Sequence, residues 1–500
     1  MKRKNPSTPT HRTMPGGLLS MMLAIGLVLL AAGATWADAA SSSLVPAHAP
    51  GILRVRLTPQ AAADPAFALR SYGAQASRTG LPELDSALIR AGLETIRTAP
   101  FAPRRQRLAA ELGLDRELLL RFPTSQDMVA LAETIAALPQ IEWAAPDWIF
   151  SQATVPNDPL YPDQWGHDNQ KQFQAWDPQS SSFSGPTVGT VDFDADVDDA
   201  WSDTQGYGSS SITIAIIDSG VDLQHPDLNV VTGYDFGEGD SDPSDAQGHG
   251  TACAGVAAAK AGNGIGPAGV CAQCSIMPLK VADASGNITA SAVGNALVYA
   301  ADHGARIASM SFGLGPIDPG IGSQVSYAYQ AGVTLFGAVG NNNLSRVLYP
   351  AAYAKVIAIG AATPCGERKR SASDLSLLLQ GVVPDPLGVS CDNYPAWGSN
   401  YGLKLDLMAP TIIPTTDIHG SGGYASGDYL LYFDGTSAAC PFAAGVAGLV
   451  LSKDSSLTPA QVKQRLIDSA TDMTAGDASV GYDSRTGWGL VNADAALSGN

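Results

Sequence analysis

Charge is scarce in this chain: 15% of its 500 residues are charged, against 45% that are hydrophobic. That balance excludes a coiled coil, a long solvated helical rod and a charged disordered tail. No basic block offsets the net charge of −18, which argues against nucleic acid as the main partner. Glutamate is nearly missing after residue 150, where Glu238 and Glu367 stand among 35 acidic residues. The remainder are aspartates, which favour loops, caps and hard-cation sites over helix interiors. Past the first 40 residues, no apolar run is long enough to cross a bilayer without glycine or polar interruption. Cysteine is limited to six residues, and one pair, Cys271 and Cys274, has CxxC spacing. A local bridge, a redox pair and half of a zinc site all fit it. The lack of a second CxxC or of any CxxH argues against zinc.

The length allows one large domain with a smaller one, or three small domains. Charge is unevenly spread along it. Residues 1–150 hold 15 basic and 12 acidic side chains, whereas residues 151–500 hold 14 and 35, a net −21. The front surplus belongs to residues 1–39, with four basic residues and one acid; residues 40–150 are neutral. Lys2, Arg3, Lys4 and Arg12 precede an apolar run over 18–34, and Ala37-Asp38-Ala39 fits an A-x-A cleavage site. This is the pattern of a secretory signal, predicting export to the extracellular space or periplasm and no membrane attachment once the signal is removed. Export permits disulfides. Cys365 and Cys391 bracket a segment that looks inserted, within an insertion-like loop at 364–400, and are the favoured pair; Cys253 and Cys440 either bridge or remain buried thiols.

Residues 40–154 read as a small α+β unit. Residues 52–57 alternate apolar and basic side chains as a half-exposed strand does, helix-like stretches follow at 104–120 and 125–138, and 141–143 return as a strand. Pro156-Asn157-Asp158-Pro159 marks a boundary. Beyond it, apolar β-branched runs at 211–217, 275–281, 305–311, 333–339 and 356–360 alternate with helical segments near 250–260, 288–303 and 320–331. That order predicts an α/β fold, a parallel sheet with helices on both faces and functional residues at the strands' carboxyl ends.

Three blocks carry chemistry. Asp218 closes the first buried strand, where a carboxylate is costly unless used. His249 opens a small-residue helix in Gly248-His249-Gly250-Thr251, where the helix dipole is expected to lower its pKa and favour the neutral base. Ser437 opens another helix in Gly435-Thr436-Ser437-Ala438-Ala439-Cys440-Pro441, where backbone N–H groups can stabilise an oxyanion. Each taken singly fits a cap or turn residue. Together, in the order Asp–His–Ser on a parallel scaffold, they resemble the subtilisin-like serine peptidases, and His225-Pro226-Asp227-Leu228 is a further mark of that family.

The resemblance covers about 155–500 and loosely 40–154. It implies a subtilisin-like three-layer fold preceded by a propeptide, giving a signal at 1–39, a propeptide at 40–154 and a catalytic domain at 155–500. It further implies a secreted, self-processing, monomeric serine endopeptidase acting on proteins or peptides, with its own propeptide as intramolecular inhibitor. Ser437 would be nucleophile, His249 general base, Asp218 its orienting partner and Asn341, in Val339-Gly340-Asn341, the side-chain oxyanion donor. Ser311, Phe312 and Gly313 would line the primary specificity pocket. Ala284, Ser285 and Gly286 would form an edge strand pairing with substrate. The related basic-specific convertases have acids where this chain has Leu314-Gly315-Pro316, so broad rather than dibasic specificity is expected. Asp158, Asp227 and Asn263 match a structural calcium site, and no redox or organic cofactor is implied. The aspartates at 192–203, and Asp240, Asp242 and Asp245, are weaker calcium candidates for which solvated loops are the favoured reading. Glu367-Arg368-Lys369-Arg370 fits an exposed cleavage site or, preferably, a solvated loop. The competing reading from another class is a catalytically inactive binding or scaffold protein of the same fold.

Overall fold

The computed structural model describes residues 48–100, 102–148, 155–204, 206–313, 316–371, 378 and 381–498. The expected signal at 1–39, and Leu314 and Gly315, lie outside the described residues. The chain divides into two compact units, 1–149 and 150–499.

The first unit is a five-stranded antiparallel sheet, β1 (His48–Leu57), β2 (Gln75–Ala76), β3 (Thr95–Thr98), β4 (Glu117–Arg121) and β5 (Ile141–Trp148), in the order β2-β3-β4-β1-β5. The alternation over 52–57 does what its period requires. Leu53, Val55 and Leu57 are buried against Leu84, Leu88, Met128 and Ile135, while Arg54 and Arg56 reach Glu117 at 3.5 and 2.6 Å. The helix expected over 104–120 is shorter, Gln106–Glu111, and its last part is β4. The leucine run 118–120 suits either structure locally; pairing between β1 and β3 decides it.

The second unit begins with a hairpin, β6 (Gln174–Asp177) and β7 (Ser182–Thr187). A seven-stranded sheet follows: β8 (Thr213–Asp218), β9 (Tyr234–Asp235), β10 (Ser275–Lys280), β11 (Ile307–Met310), β12 (Thr334–Ala338), β13 (Val356–Ala362) and β14 (Leu407–Pro410). Its order is β14-β13-β12-β11-β8-β10-β9 and every pair is parallel. Helices cover both faces. Ile214 and Ile216 of β8 pack toward helices His249–Ala258 and Thr436–Lys453, while Ala215 and Ile217 face helices Ala290–Asp302 and Pro319–Gln330. Being buried on both sides, β8 is apolar from Ile214 to Ile217, before it ends on Asp218. Helix Thr436–Lys453 is apolar and long enough to cross a membrane by composition, and 83% of it is buried in this core. An antiparallel pair, β15 (Ile413–Thr416) and β16 (Tyr429–Phe433), precedes it. Strand order turns about β8, with β10 on one side and β11 on the other. The crevice at the carboxyl end of that strand is where open parallel sheets place their sites.

Cys365 is bonded to Cys391, as the sequence favours, and Cys271 to Cys274; Cys253 and Cys440 are free and buried. The charged run at 367–370 is not a solvated loop. Arg368 and Lys369 have no exposure and Arg370 has 5%. The first two are buried with partners distant in sequence: Arg368 with Asp385 and Asp477 at 2.8 Å, and Lys369 with Asp392 at 3.4 Å and the carbonyls of Tyr394 and Trp397 at 2.6 and 3.2 Å. Arg370 pairs locally with Glu367 at 2.7 Å. The 192–203 aspartates are likewise not simply solvated. Asp194 is buried, accepts from the N–H of Asn169 and Asp196 at 2.8 Å, and is pushed up to about 7 by burial.

Candidate active site

Asp218 sits at the carboxyl end of β8, almost fully buried, and accepts at Oδ1 from the Ser219 N–H at 2.8 Å. His249 is the first residue of its helix, and its Nδ1 lies 2.7 Å from Asp218 Oδ1. The flanking glycine is required by space: a Cβ at Gly250 would overlap the Gly220 carbonyl. A second hydrogen-bonded layer locks the two loops together. Ser219 Oγ accepts from the Gly250 N–H and donates to Asp245 Oδ1, both at 2.9 Å, while Asp245 Oδ2 accepts from the N–H and Oγ1–H of Thr251 at 3.0 and 2.7 Å. Asp245, a weak calcium candidate in the sequence, is thereby a cap of the histidine helix.

The electrostatics of His249 differ from the helix-dipole expectation. Burial disfavours its charged form, but the adjacent Asp218 carboxylate, with a further contribution from Cys253, raises its pKa well above 6.5. The aspartate, not the helix terminus, sets the basicity of this imidazole.

Ser437 is the second residue of its helix and 9% exposed. Its Oγ donates to the Ser311 carbonyl at 3.2 Å, and Ser311 Oγ donates to the Ser437 carbonyl at 3.0 Å. Cys253, one turn beyond His249, touches all three elements: its Sγ is 3.8 Å from Asp218 Oδ2, 3.9 Å from His249 Nδ1 and 3.5 Å from the Ser437 carbonyl. Burial pushes this thiol above its ordinary range, so it remains protonated beneath the site. Its place one helical turn after the histidine was the only sequence signal for it. The Phe433 ring packs edge-on against His249 at 5.6 Å, a neighbour that no motif announced.

The asparagine triplet is resolved by its partners. Asn341 Oδ1 accepts from the Thr436 N–H and Oγ1–H, both at 2.8 Å, so its Nδ2 amino group lies beside the Ser437 turn. A Cβ at Gly435, whose φ is +85°, would come within 2.9 Å of that Nδ2. Asn342 and Asn343 turn away, to the Gly381 carbonyl at 3.0 Å and the Val383 carbonyl at 2.9 Å.

Ser311, Phe312 and Gly313 run beyond the end of β11, with Ser311 against Ser437. Ala284, Ser285 and Gly286 are not an edge strand. The Asp283 carboxylate accepts from the N–H of Ser285 and Asn287 at 2.9 and 2.8 Å, and Gly286 at φ +80° completes a tight turn. A side chain at Gly286 would meet the amide of Gln247, with a Cβ 3.6 Å from its Nε2.

Asp158, Asp227 and Asn263 come together away from these groups. Asp158 accepts from the N–H of Gly262 and Asn263 at 2.6 and 3.2 Å, and Asn263 Nδ2 donates to Asp227 Oδ1 at 2.6 Å. Asp227 has no exposure, its Oδ2 has no hydrogen-bond partner among the described residues, and burial pushes its carboxyl up to about 7. A buried carboxylate oxygen without a partner suits a bound cation. Asp240 and Asp242 instead accept from nearby backbone N–H groups at 2.8 and 3.2 Å.

The sequence profile of the subtilase family matches residues 209–489. The thermophilic serine proteinase of Bacillus sp. (strain AK1) is 33% identical over 329 residues, 65% of this chain and 66% of that protein, so the chain spans about two thirds of its length. Thermitase of Thermoactinomyces vulgaris is 37% identical over 257 residues, 51% of this chain and 78% of thermitase. Among solved structures, the protease of Pseudoalteromonas arctica PAMC 21717 aligns with a TM-score of 0.53 over 69% of this chain and 99% of that one. At 23% identity that likeness speaks to the fold alone. With the profile spanning more than half of its length and a parallel three-layer scaffold beneath it, this chain belongs to the subtilase family of serine-type peptidases.

Proposed function

We propose that the protein is a secreted serine endopeptidase of broad specificity, acting through Asp218, His249 and Ser437. The observation that carries this reading is the 2.7 Å contact from His249 Nδ1 to Asp218 Oδ1, with Cys253 spanning from that pair to Ser437. The contact leaves Nε2 as the base. Ser437 Oγ rotates off the Ser311 carbonyl toward Nε2, transfers its proton there and bonds to the substrate carbonyl carbon. The oxyanion is met by the Ser437 N–H, unpaired within the helix by its position, and by Asn341 Nδ2. Collapse breaks the C–N bond as His249 returns the proton to the leaving amine. Water, deprotonated by His249, then releases the acyl group. Throughout, Asp218 holds the Nδ1 proton and stabilises the imidazolium.

Residues 40–154 are the propeptide in this reading, and 155–500 the retained peptidase. A compact unit with its own core and a neutral composition supports that division. Asp158, Asp227 and Asn263 would hold a calcium ion, which would neutralise the buried Asp227 carboxylate and pin the loop after the histidine helix.

The test is labelling with a fluorophosphonate probe. The mature protein should be labelled and Ser437→Ala should not, and Ser437→Ala should accumulate as an unprocessed precursor. A wild-type protein that resists the probe and cleaves no peptide would establish the inactive scaffold instead.

A further inference from the structure

We propose that Arg368, in the segment closed by the Cys365–Cys391 disulfide, is a positioning residue that holds Asn341 in place beside Ser437. The inference rests on the peptidase reading above and assigns the inserted segment a part in that site.

Arg368 is fully buried, yet its partners face the asparagine loop. Its Nη1 donates to Asn343 Oδ1 at 2.6 Å and to the Ser399 carbonyl at 2.8 Å, while Nη2 pairs with Asp385 and Asp477 at 2.8 Å each. The guanidinium lies 4.6 Å over the Tyr401 ring. Asn343 is the residue so gripped, and it stands at φ +54°, a left-handed conformation that few non-glycine residues other than asparagine and aspartate adopt. Its amide is used on both sides: Oδ1 by Arg368, Nδ2 by the Val383 carbonyl and by Asp385 Oδ2 at 2.9 and 3.2 Å.

Residues just after that disulfide-closed segment clasp the rest of the loop. Asn400 Oδ1 accepts from the N–H of Asn342 and Leu344 at 3.1 and 2.8 Å, and the Gly398 N–H reaches the Asn341 carbonyl at 3.3 Å. The Asn343 N–H donates to the Gly398 carbonyl at 2.7 Å. Asn341 therefore has two anchors: its own side chain on Thr436, and a backbone whose curvature is set two residues on by Arg368. A charge paired with two carboxylates in a buried site is a stiff anchor, because moving it leaves a buried guanidinium uncompensated. A hydrogen-bond donor aimed at a developing oxyanion needs that stiffness.

The experiment measures kcat and KM per active site, titrated with a fluorophosphonate, for Arg368→Met, Arg368→Lys, Asn343→Gly and Asn341→Ala, and for Arg368→Met combined with Asn341→Ala. A misplacement on the order of 1 Å can cost about 10²-fold, so Arg368→Met should lower kcat by about 10- to 100-fold with KM nearly unchanged. Affinity for a peptide aldehyde, whose adduct carries the oxyanion, should fall in parallel. Added to Asn341→Ala, Arg368→Met should lower kcat little further, since the donor it positions is gone. Arg368→Lys keeps the charge without the fork and should recover thermal stability more than kcat. If Arg368→Met does not fold, Asn343→Gly keeps the left-handed backbone, removes the gripped amide and should show the same kcat loss. Full kcat per titrated site in these variants, or an equal loss with and without Asn341, overturns the inference. An unreactive wild type removes the peptidase reading and this inference together, whereas an active wild type with unaffected variants removes this one alone.

Discussion

Replacing Asp218 by Asn is the sharpest perturbation of the site. The carboxylate stands 2.7 Å from His249 Nδ1 and is the group that raises the imidazole pKa well above 6.5 against the effect of burial. Unit charges at that separation interact by about 6 kcal/mol at an effective dielectric of about 20. At ~1.4 kcal/mol per decade this allows a loss of about 10⁴ in kcat, the size seen when triad aspartates are neutralised. The sign of the pH effect also follows. Catalysis needs neutral His249, so activity rises as pH climbs through its raised pKa. Without Asp218, burial dominates, the pKa drops, and the acid limb of kcat/KM moves to lower pH. Stability responds in the opposite sense. A raised folded-state pKa stabilises the fold below the unfolded value of about 6.5 and loses that contribution as pH rises through the folded value. The wild type should therefore lose stability relative to Asp218→Asn across that window. Hydrolysis of a chromogenic peptide from pH 5 to 10, with thermal melts over the same range, checks both. A loss below tenfold, or an acid limb that stays in place, refutes the assignment of Asp218 as the group that tunes His249.

Asn341→Ala should lower kcat by about 10²–10³ with little change in KM, whereas Asn342→Ala, whose side chain faces Gly381, should leave the kinetics within severalfold; steady-state assays separate them. Chelation of calcium should lower the melting temperature. Asp227→Asn should abolish that calcium dependence, because it removes the partnerless buried carboxylate oxygen, as differential scanning calorimetry with and without chelator can show. Cys365 and Cys391 are separated by 26 residues. Opening that loop by Cys365→Ser with Cys391→Ser should cost about 3–4 kcal/mol on the chain-entropy relation, read as a shift in the denaturant midpoint.

Much of the site is legible in the linear chain because its parts are local. Asp218 ends a strand, while His249 and Ser437 begin helices, and each position is marked by neighbours one or two residues away. The asparagine triplet is different: only the preceding Val339-Gly340 favours Asn341 in the sequence, while contacts with Thr436, Gly381 and Val383 tell the three side chains apart. The segment 284–286 forms a turn rather than the expected strand for a related reason. Its residues tolerate an extended strand, but the Asp283 side chain closes an alternative hydrogen-bonded turn.

The alternation of buried strands and helices and the order Asp–His–Ser are written in the chain itself, and the Cys365–Cys391 pair is favoured there among several. Apolar period and turn chemistry act over a few residues, and they can be read there. Only the tertiary structure decided where Arg368, Lys369 and Arg370 belong. Four successive charged residues read as solvent-facing because isolated charges do not leave water. The carboxylates that allow burial of Arg368 and Lys369, Asp385, Asp392 and Asp477, lie 17, 23 and 109 residues away from their partners. The basicity of His249 was decided in the same way: the helix terminus is local and visible, but the carboxylate that overrides it arrives from another strand.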